Sequence, residues 1–342
     1  MNNTTQNTAL QKIPYFQSVV IGAGLAGSLL AKKLMQKGHS VCVIEKSRGT
    51  GGRASSKRLE STVSGKQLNA DLGLTSIQLN TPELKSLRDE LLEQSVIAPW
   101  NNAHKNETLD QNAESTAFVG TPKSSAITRY LLGDATLITS TTAHHIEKTH
   151  SHWLIRDNAY APIARCENLI ITAPPAQTAM LLATTESASE QLHIAHRAGA
   201  NTTPQWAMWI ETPKRPIGHQ LKNSGNVIDT YCLESRKPEK TCDSSEIWVI
   251  QTTSEWATRH LDAAKEWIAS QLVHEFKHTT QLEVLQFGQP HRWLLGRQQN
   301  ATPQIEHVWN ERVKLGIAGD WLYSGDGQGA LLSAHYLIEK MN

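Results

Sequence analysis

Apolar positions in this 342-residue chain come in short runs that stop on glycine or proline. The first run, Val19-Val20-Ile21, ends on Gly22 and predicts a buried strand. Over 25–37 the apolar residues Ala26, Leu30 and Leu34 recur every fourth position before Gly38, which predicts a helix with a glycine stop. A second strand over 40–44 ends in Glu45. At the far end, 313–318 (VKLGIA) predicts a buried strand, and from Gln328 onward Ala330, Leu331, Ala334, Leu337 and Ile338 give a helix one apolar face. Between these ends, 139–146 and 152–156 predict an antiparallel pair around a turn at 148–151, and LIITAPP (169–175) a buried strand with a proline stop. QWAMWI from Gln205 and IWVIQTTSEWA from Ile247 alternate as strands do, the second leading to a helix over 261–276.

These elements predict an α/β protein with a Rossmann-type nucleotide-binding domain (1–75, 121–175 and 290–342) and a second, mixed-sheet substrate domain (76–120 and 176–289). The polar stretch 101–115 reads as an interdomain loop. Ten tryptophans, among them Trp206, Trp209, Trp248, Trp256 and Trp293, read mainly as core.

Composition narrows the partners. Lysine plus arginine (33) nearly cancels aspartate plus glutamate (32), leaving +1 and no basic field for nucleic acid. Four dispersed cysteines, with no C-x-x-C pair, fit neither a zinc knuckle nor a disulfide scaffold and suit a reducing cytoplasm. The first fifteen residues are polar and lack a basic run, and Lys32 and Lys33 break the next apolar stretch, so neither signal peptide nor membrane span is expected. His144 and His145 lack a third ligand at metal spacing, so no metal is expected.

Gly22, Gly24 and Gly27 stand at G-x-G-x-x-G spacing between strand and helix. That pattern suits a turn (Gly22), close approach of a pyrophosphate (Gly24) and tight helix packing (Gly27). Ala23, Leu25 and Ala26 lie in the same turn, whose N–H groups face the phosphates. Glu45, with Lys46 directly after it, is placed to accept from an adenosine ribose, and its charge disfavours the 2′-phosphate of NADP. This much leaves NAD and FAD open.

The segment Gly51-Gly52-Arg53-Ala54 resembles the glycine-glycine-arginine extension of amine oxidase-type flavoproteins. The far end resembles the second flavin motif, strand, Gly319-Asp320, glycine-rich loop and helix. The resemblance implies non-covalent FAD, with Arg53 at the pyrophosphate, Asp320 at the ribityl chain, His144 offering backbone to the adenine, and Gln328, Gly329 and Ala330 at a helix end facing the flavin pyrimidine. It also implies an amine oxidase or p-hydroxybenzoate hydroxylase-like architecture.

With EKSRGTGGRASSKR, FVGTPKSSAITRYL, PQWAMWI, PHRW and AGDW, nearly the whole chain resembles the renalase-type FAD-dependent oxidoreductases. That family oxidises isomeric dihydro forms of NAD(P)H to NAD(P)+ by hydride transfer to the flavin, with O2 as acceptor giving H2O2. The resemblance then implies a pyridine dinucleotide isomer as substrate and places His291 and Arg292 on the substrate side. Two stretches depart from the family pattern: 71–77 (DLGLTSI) replaces an Asp-(His or Gly)-Gly-Ala-Gln-aromatic segment, and 294–296 (LLG) lacks the expected arginine and aromatic. An amine oxidase or desaturase on an apolar substrate, and a non-catalytic flavin-binding redox-sensing module, are the alternatives.

Overall fold

A computed structural model describes residues 13–100, 117–214, 226–240, 242, 244–299 and 305–341. The predicted loop 101–115 lies outside the described residues. The chain divides into two compact units, 1–52 with 128–202 and 298–342, and 53–127 with 203–297.

In the first unit Tyr15–Ile21 lies between Val41–Ile44 and Pro162–Ile171, all parallel. Thr136–Ile138 extends the sheet beyond Val41–Ile44, and Leu315–Ile317 extends it beyond Pro162–Ile171, again in parallel. Chain connections therefore leave the first strand toward opposite edges, and its carboxyl end is the switch point where such sheets bind ligands. Val308–Asn310 closes one edge antiparallel, and the hairpin His145–Lys148 with Trp153–Arg156 adds to the start of Pro162–Ile171. Val19, Ile44, Leu169, Ile171, Leu315 and Ile317 supply the core, joined by Leu182, Ala195 and Ala198 from the helices Pro175–Leu182 and Ser189–Gly199. Residues 176–202 therefore group with this unit.

The strand predicted from 139 begins at His145 instead. Ser140, at φ 53, and Thr141 direct their amides to the carbonyls of Ser47 and Glu45, which turns the chain out of the sheet.

The second unit carries a sheet in the order Ile228–Leu233, Ser245–Thr252, Thr202–Pro213, Gln286–Phe287, with His291–Gln298 also on Thr202–Pro213. Alternation sends Trp206, Met208, Ile210, Trp248 and Ile250 to one face, under Ile268, Leu272 and Phe276 of the helix Lys265–Thr280. Ala207, Trp209, Ile247 and Val249 face the other side and meet Leu59, Ala70 and Leu72. That contact is why 53–75 group with this unit. Trp153, Trp206, Trp248 and Trp321 are fully buried, as a core role requires. No helix among the described residues is long and apolar enough to cross a membrane.

Candidate functional site

The turn after Tyr15–Ile21 is shaped by two compulsory glycines. Gly22 sits at φ +105, and a Cβ on Gly27 would stand 1.9 Å from the Gly22 carbonyl oxygen. Gly24 differs: a Cβ there would meet nothing within 4 Å, so its missing side chain leaves open space.

Every carbonyl of this turn already has a donor. Ile21 O accepts from the amide and the hydroxyl of Thr172, both at 2.9 Å, and Gly22 O from the same hydroxyl at 3.1 Å. Ala23 O accepts from Gly51 N at 2.9 Å, and Gly24 O from Ser28 N at 2.9 Å. The donors are divided differently. Gly22 N goes to Ile44 O and Ala23 N to the Glu45 carboxylate, whereas the N–H groups of Gly24, Leu25, Ala26 and Gly27 find no acceptor among the described residues. The helix Leu25–Gln36 has no side-chain cap. The turn thus presents donors only, at the positive end of a helix, which is a seat for an anion.

Glu45 braces this turn. It is 5% exposed, and its two oxygens accept from the amides of Ala23 and Ser47, each at 2.8 Å. The remaining lone pairs can still accept from a ligand hydroxyl. Lys46 beside it is exposed. The second glycine segment folds back on the first: Gly51 bonds Ala23, and a Cβ on Gly52, at φ +53, would lie 3.7 Å from Gly24 Cα. Residues 22–27 and 51–52 therefore form one surface.

At the far end Leu315–Ile317 leads to Gly319, whose amide donates to Ser333 Oγ at 3.0 Å, and to Asp320, buried at 5% exposure. The helix Gly327–Lys340 opens unlike the first. Asp326 caps it, its Oδ1 accepting from Gly329 N at 2.7 Å and Ser324 Oγ at 2.6 Å. Gly329 is required there, since a Cβ would lie 2.3 Å from Ser324 Oγ. Gln328 and Ala330 are half-buried in the same first turn. The Asp326 carboxylate offsets part of the positive charge of this helix end. The His144 side chain is exposed and its amide donates to Arg156 O at 2.9 Å.

The other predicted residues belong to the second unit. Arg53 and Ala54 lie in the short turn Gly52–Ala54. Arg53 O accepts from Leu74 N at 2.9 Å, and its Nη1 donates to Gly296 O at 3.4 Å. His291 and Arg292, adjacent on one strand, fall on opposite sheet faces. The His291 ring lies 4.1 Å from that of Trp293, on the Trp209 side. Arg292 turns the other way, donating to Leu261 O at 2.8 Å and to Asp262 Oδ1 at 3.4 Å, over the Trp206 ring.

Asp71, which opens the divergent loop 71–77, is committed inside the second unit. Its carboxylate accepts from Ser56 Oγ, from Ser124 N at 3.2 Å and from Lys240 Nζ at 2.5 Å, with Lys237 Nζ 3.7 Å away. Lys240 also reaches Glu234 at 2.7 Å, and Lys237 pairs with Glu234. All four residues are buried. Burial alone would raise the Asp71 carboxyl; the Lys237 and Lys240 ammoniums and the Lys240 and Ser56 hydrogen bonds outweigh it and hold it below its ordinary value.

Sequence reasoning missed this quartet and Thr172. The quartet left no signal, since RKPEK reads as a solvated run. Thr172 had one: it is the first residue after a strand paired in register with Tyr15–Ile21, which sets it beside the glycine turn.

The comparisons agree with this geometry. Residues 20–91 match a family model described as an NAD(P)-binding Rossmann-like domain. The chain is also similar in structure to a candidate protoporphyrinogen oxidase from Exiguobacterium sp. 255-15, with a TM-score of 0.64 over 96% of this chain and 98% of that one. At 12% sequence identity that likeness speaks to the fold, a parallel-sheet Rossmann-like domain joined to a second sheet.

Proposed function

We propose that this chain is an FAD-dependent oxidoreductase that holds FAD non-covalently and uses O2 as acceptor, giving H2O2. The observation that carries the reading is the donors-only turn at 22–27 with Gly51 and Gly52 folded onto it. Pyrophosphate is the ligand group that such a turn fits: it brings acceptors and negative charge, and Gly24 leaves room for it. In this reading 22–27 bind the pyrophosphate, Glu45 and Lys46 hold the adenosine ribose, and Gly52 lines the approach. Gly319 and Asp320 take the ribityl chain, with Gln328, Gly329 and Ala330 near the ring. Bound FAD supplies a two-electron acceptor that O2 reoxidises.

For the electron donor we favour an isomeric dihydro form of NAD(P)H. Losing a hydride makes its ring an aromatic pyridinium and requires no base. Three buried carboxylates of the second unit fit that demand, because they are engaged: Asp71 and Glu234 with lysines, and Glu211 with Ser61, Thr62 and Ser245. One observation favours a second reading, an amine oxidase or desaturase with an apolar donor: Arg292 turns its Nη1 to Leu261 O and Asp262, on the sheet face opposite His291.

The test begins with the purified protein's spectrum and the chromophore released by heat or acid. A yellow compound migrating as FAD supports the cofactor, and a colourless protein that cannot be reconstituted refutes it. Anaerobic mixing then separates the donors: bleaching by dihydro-NAD isomers supports the first, bleaching by apolar amines alone the second. Bleaching by neither leaves a non-catalytic flavin module.

A further inference from the structure

Thr172 comes directly after the strand Pro162–Ile171, about 150 residues along the chain from the glycine turn, yet it touches that turn at three points. Its amide and its hydroxyl both reach Ile21 O at 2.9 Å, and the hydroxyl is shared with Gly22 O at 3.1 Å. The same oxygen lies 2.7 Å from where a Cβ on Gly27 would stand and 2.9 Å from where one on Gly22 would stand. The hydroxyl therefore fills the space that the two glycines vacate.

We infer that Thr172 is a positioning residue of the anion seat, holding the Ile21 and Gly22 carbonyls away from the ligand so that the amides of 24–27 face it unopposed. The inference deepens the proposed FAD reading and rests on it for the identity of the ligand.

The physical case is one of competing dipoles. A peptide unit that rotates to free its carbonyl turns an acceptor toward a phosphate oxygen, where like partial charges repel. In this turn Ala23 and Gly24 carbonyls are held by Gly51 and Ser28 amides, and the Gly22 amide by Ile44. The Gly22 carbonyl has only the Thr172 hydroxyl as donor among the described residues. At φ +105 Gly22 holds a conformation that glycine adopts readily and other residues rarely do. The Ala23 amide of the same peptide unit is held by Glu45, so Thr172 and Glu45 pin the two ends of the Gly22–Ala23 peptide and the Thr172 hydroxyl is the hold on its carbonyl end.

The test uses the full chain with Thr172→Ala, Thr172→Val and Thr172→Ser. FAD affinity is read from flavin released on dilution, and the order of the turn from amide hydrogen exchange at 22–27 without flavin. Thr172→Ala and Thr172→Val are expected to weaken FAD binding about tenfold, ~1.4 kcal/mol, and to speed exchange at 22–27 while the strands Tyr15–Ile21 and Pro162–Ile171 keep theirs. Thr172→Ser, which keeps the hydroxyl, is expected to restore both. Should Thr172→Ala misfold, the isosteric valine against serine carries the comparison. Wild-type affinity and exchange in Thr172→Val overturn the inference, because shape without the hydroxyl would then suffice. Absence of FAD binding to the wild-type chain overturns the dinucleotide reading and with it the ligand assigned here, whereas the exchange comparison independently decides whether Thr172 holds the turn.

Discussion

Replacing Glu45 with glutamine keeps the side chain's shape and reverses half of its hydrogen bonding. The carboxylate accepts from two backbone amides, Ala23 and Ser47, at 2.8 Å each, from a site only 5% exposed. Charge-assisted bonds of this kind contribute about 1.5–3 kcal/mol each. Glutamine retains one neutral acceptor, worth about 1 kcal/mol, and points an N–H group at the other amide, leaving a buried donor unsatisfied at about 1–3 kcal/mol. The balance is a loss of about 3 kcal/mol or more, falling on the turn that carries the free amides of 24–27. Glu45→Gln is therefore expected to lower either the thermal midpoint of the flavin-free chain or its FAD affinity, the two losses summing to that amount. A loss expressed wholly in binding is a change of about 100-fold in Kd. Flavin fluorescence titration and thermal melts of both forms measure the two shares. Unchanged stability together with unchanged affinity would refute the bracing role of Glu45.

Two glycine substitutions should separate folding from binding. Gly27→Ala drives a Cβ to 1.9 Å from Gly22 O and is expected to disrupt the turn, seen as loss of both soluble protein and flavin, while Gly24→Ala meets open space and should fold normally yet bind FAD more weakly. Asp71→Asn is expected to destabilise the chain by about 3–5 kcal/mol at neutral pH, since it strips a carboxylate from two buried ammoniums. Asp71's folded carboxyl titrates below its unfolded value of about 3.9, so this stabilisation is present above that pH and is lost as pH falls through the lower folded value. Urea melts from pH 7 down to acid should therefore converge for wild type and variant only at the acid end. Arg292→Ala, which breaks contacts to Leu261 and Asp262, is expected to leave anaerobic flavin reduction within about twofold of wild type; a slowing confined to dihydro-NAD isomers would return Arg292 to substrate recognition.

The first unit was legible in the sequence because its strands are buried on both faces and read as apolar runs stopped by glycine. Gly22, Gly24 and Gly27 announced the turn for the same reason: their spacing is set by contacts within a few residues. The features that escaped depend on contacts distant in sequence. Asp71, Glu234, Lys237 and Lys240 are charged residues of types found mostly at surfaces, and only the folded second unit shows them neutralising one another. Glu45 was assigned to a ligand, and the bonds to Ala23 and Ser47 show that it also serves the protein's own backbone. His291 and Arg292 were grouped because they are neighbours in sequence, whereas strand alternation separates neighbours.

The interleaving of the two units bears on how the chain is made. Its segments alternate, passing from one unit to the other four times, at 52–53, 127–128, 202–203 and 297–298. Tyr15–Ile21 leaves the ribosome early but has no partner on one side until Pro162–Ile171 arrives, and that strand waits for Leu315–Ile317. The segments of the second unit are all synthesised by residue 297, whereas the first unit stays incomplete until 298–342 follow. Closing such long loops costs entropy before the parallel pairing repays it, so the apolar strands of the first unit stay exposed through most of translation. A nascent chain stalled before residue 315 should accordingly be a strong client for chaperones that capture extended apolar segments, and a chain released past 340 should not.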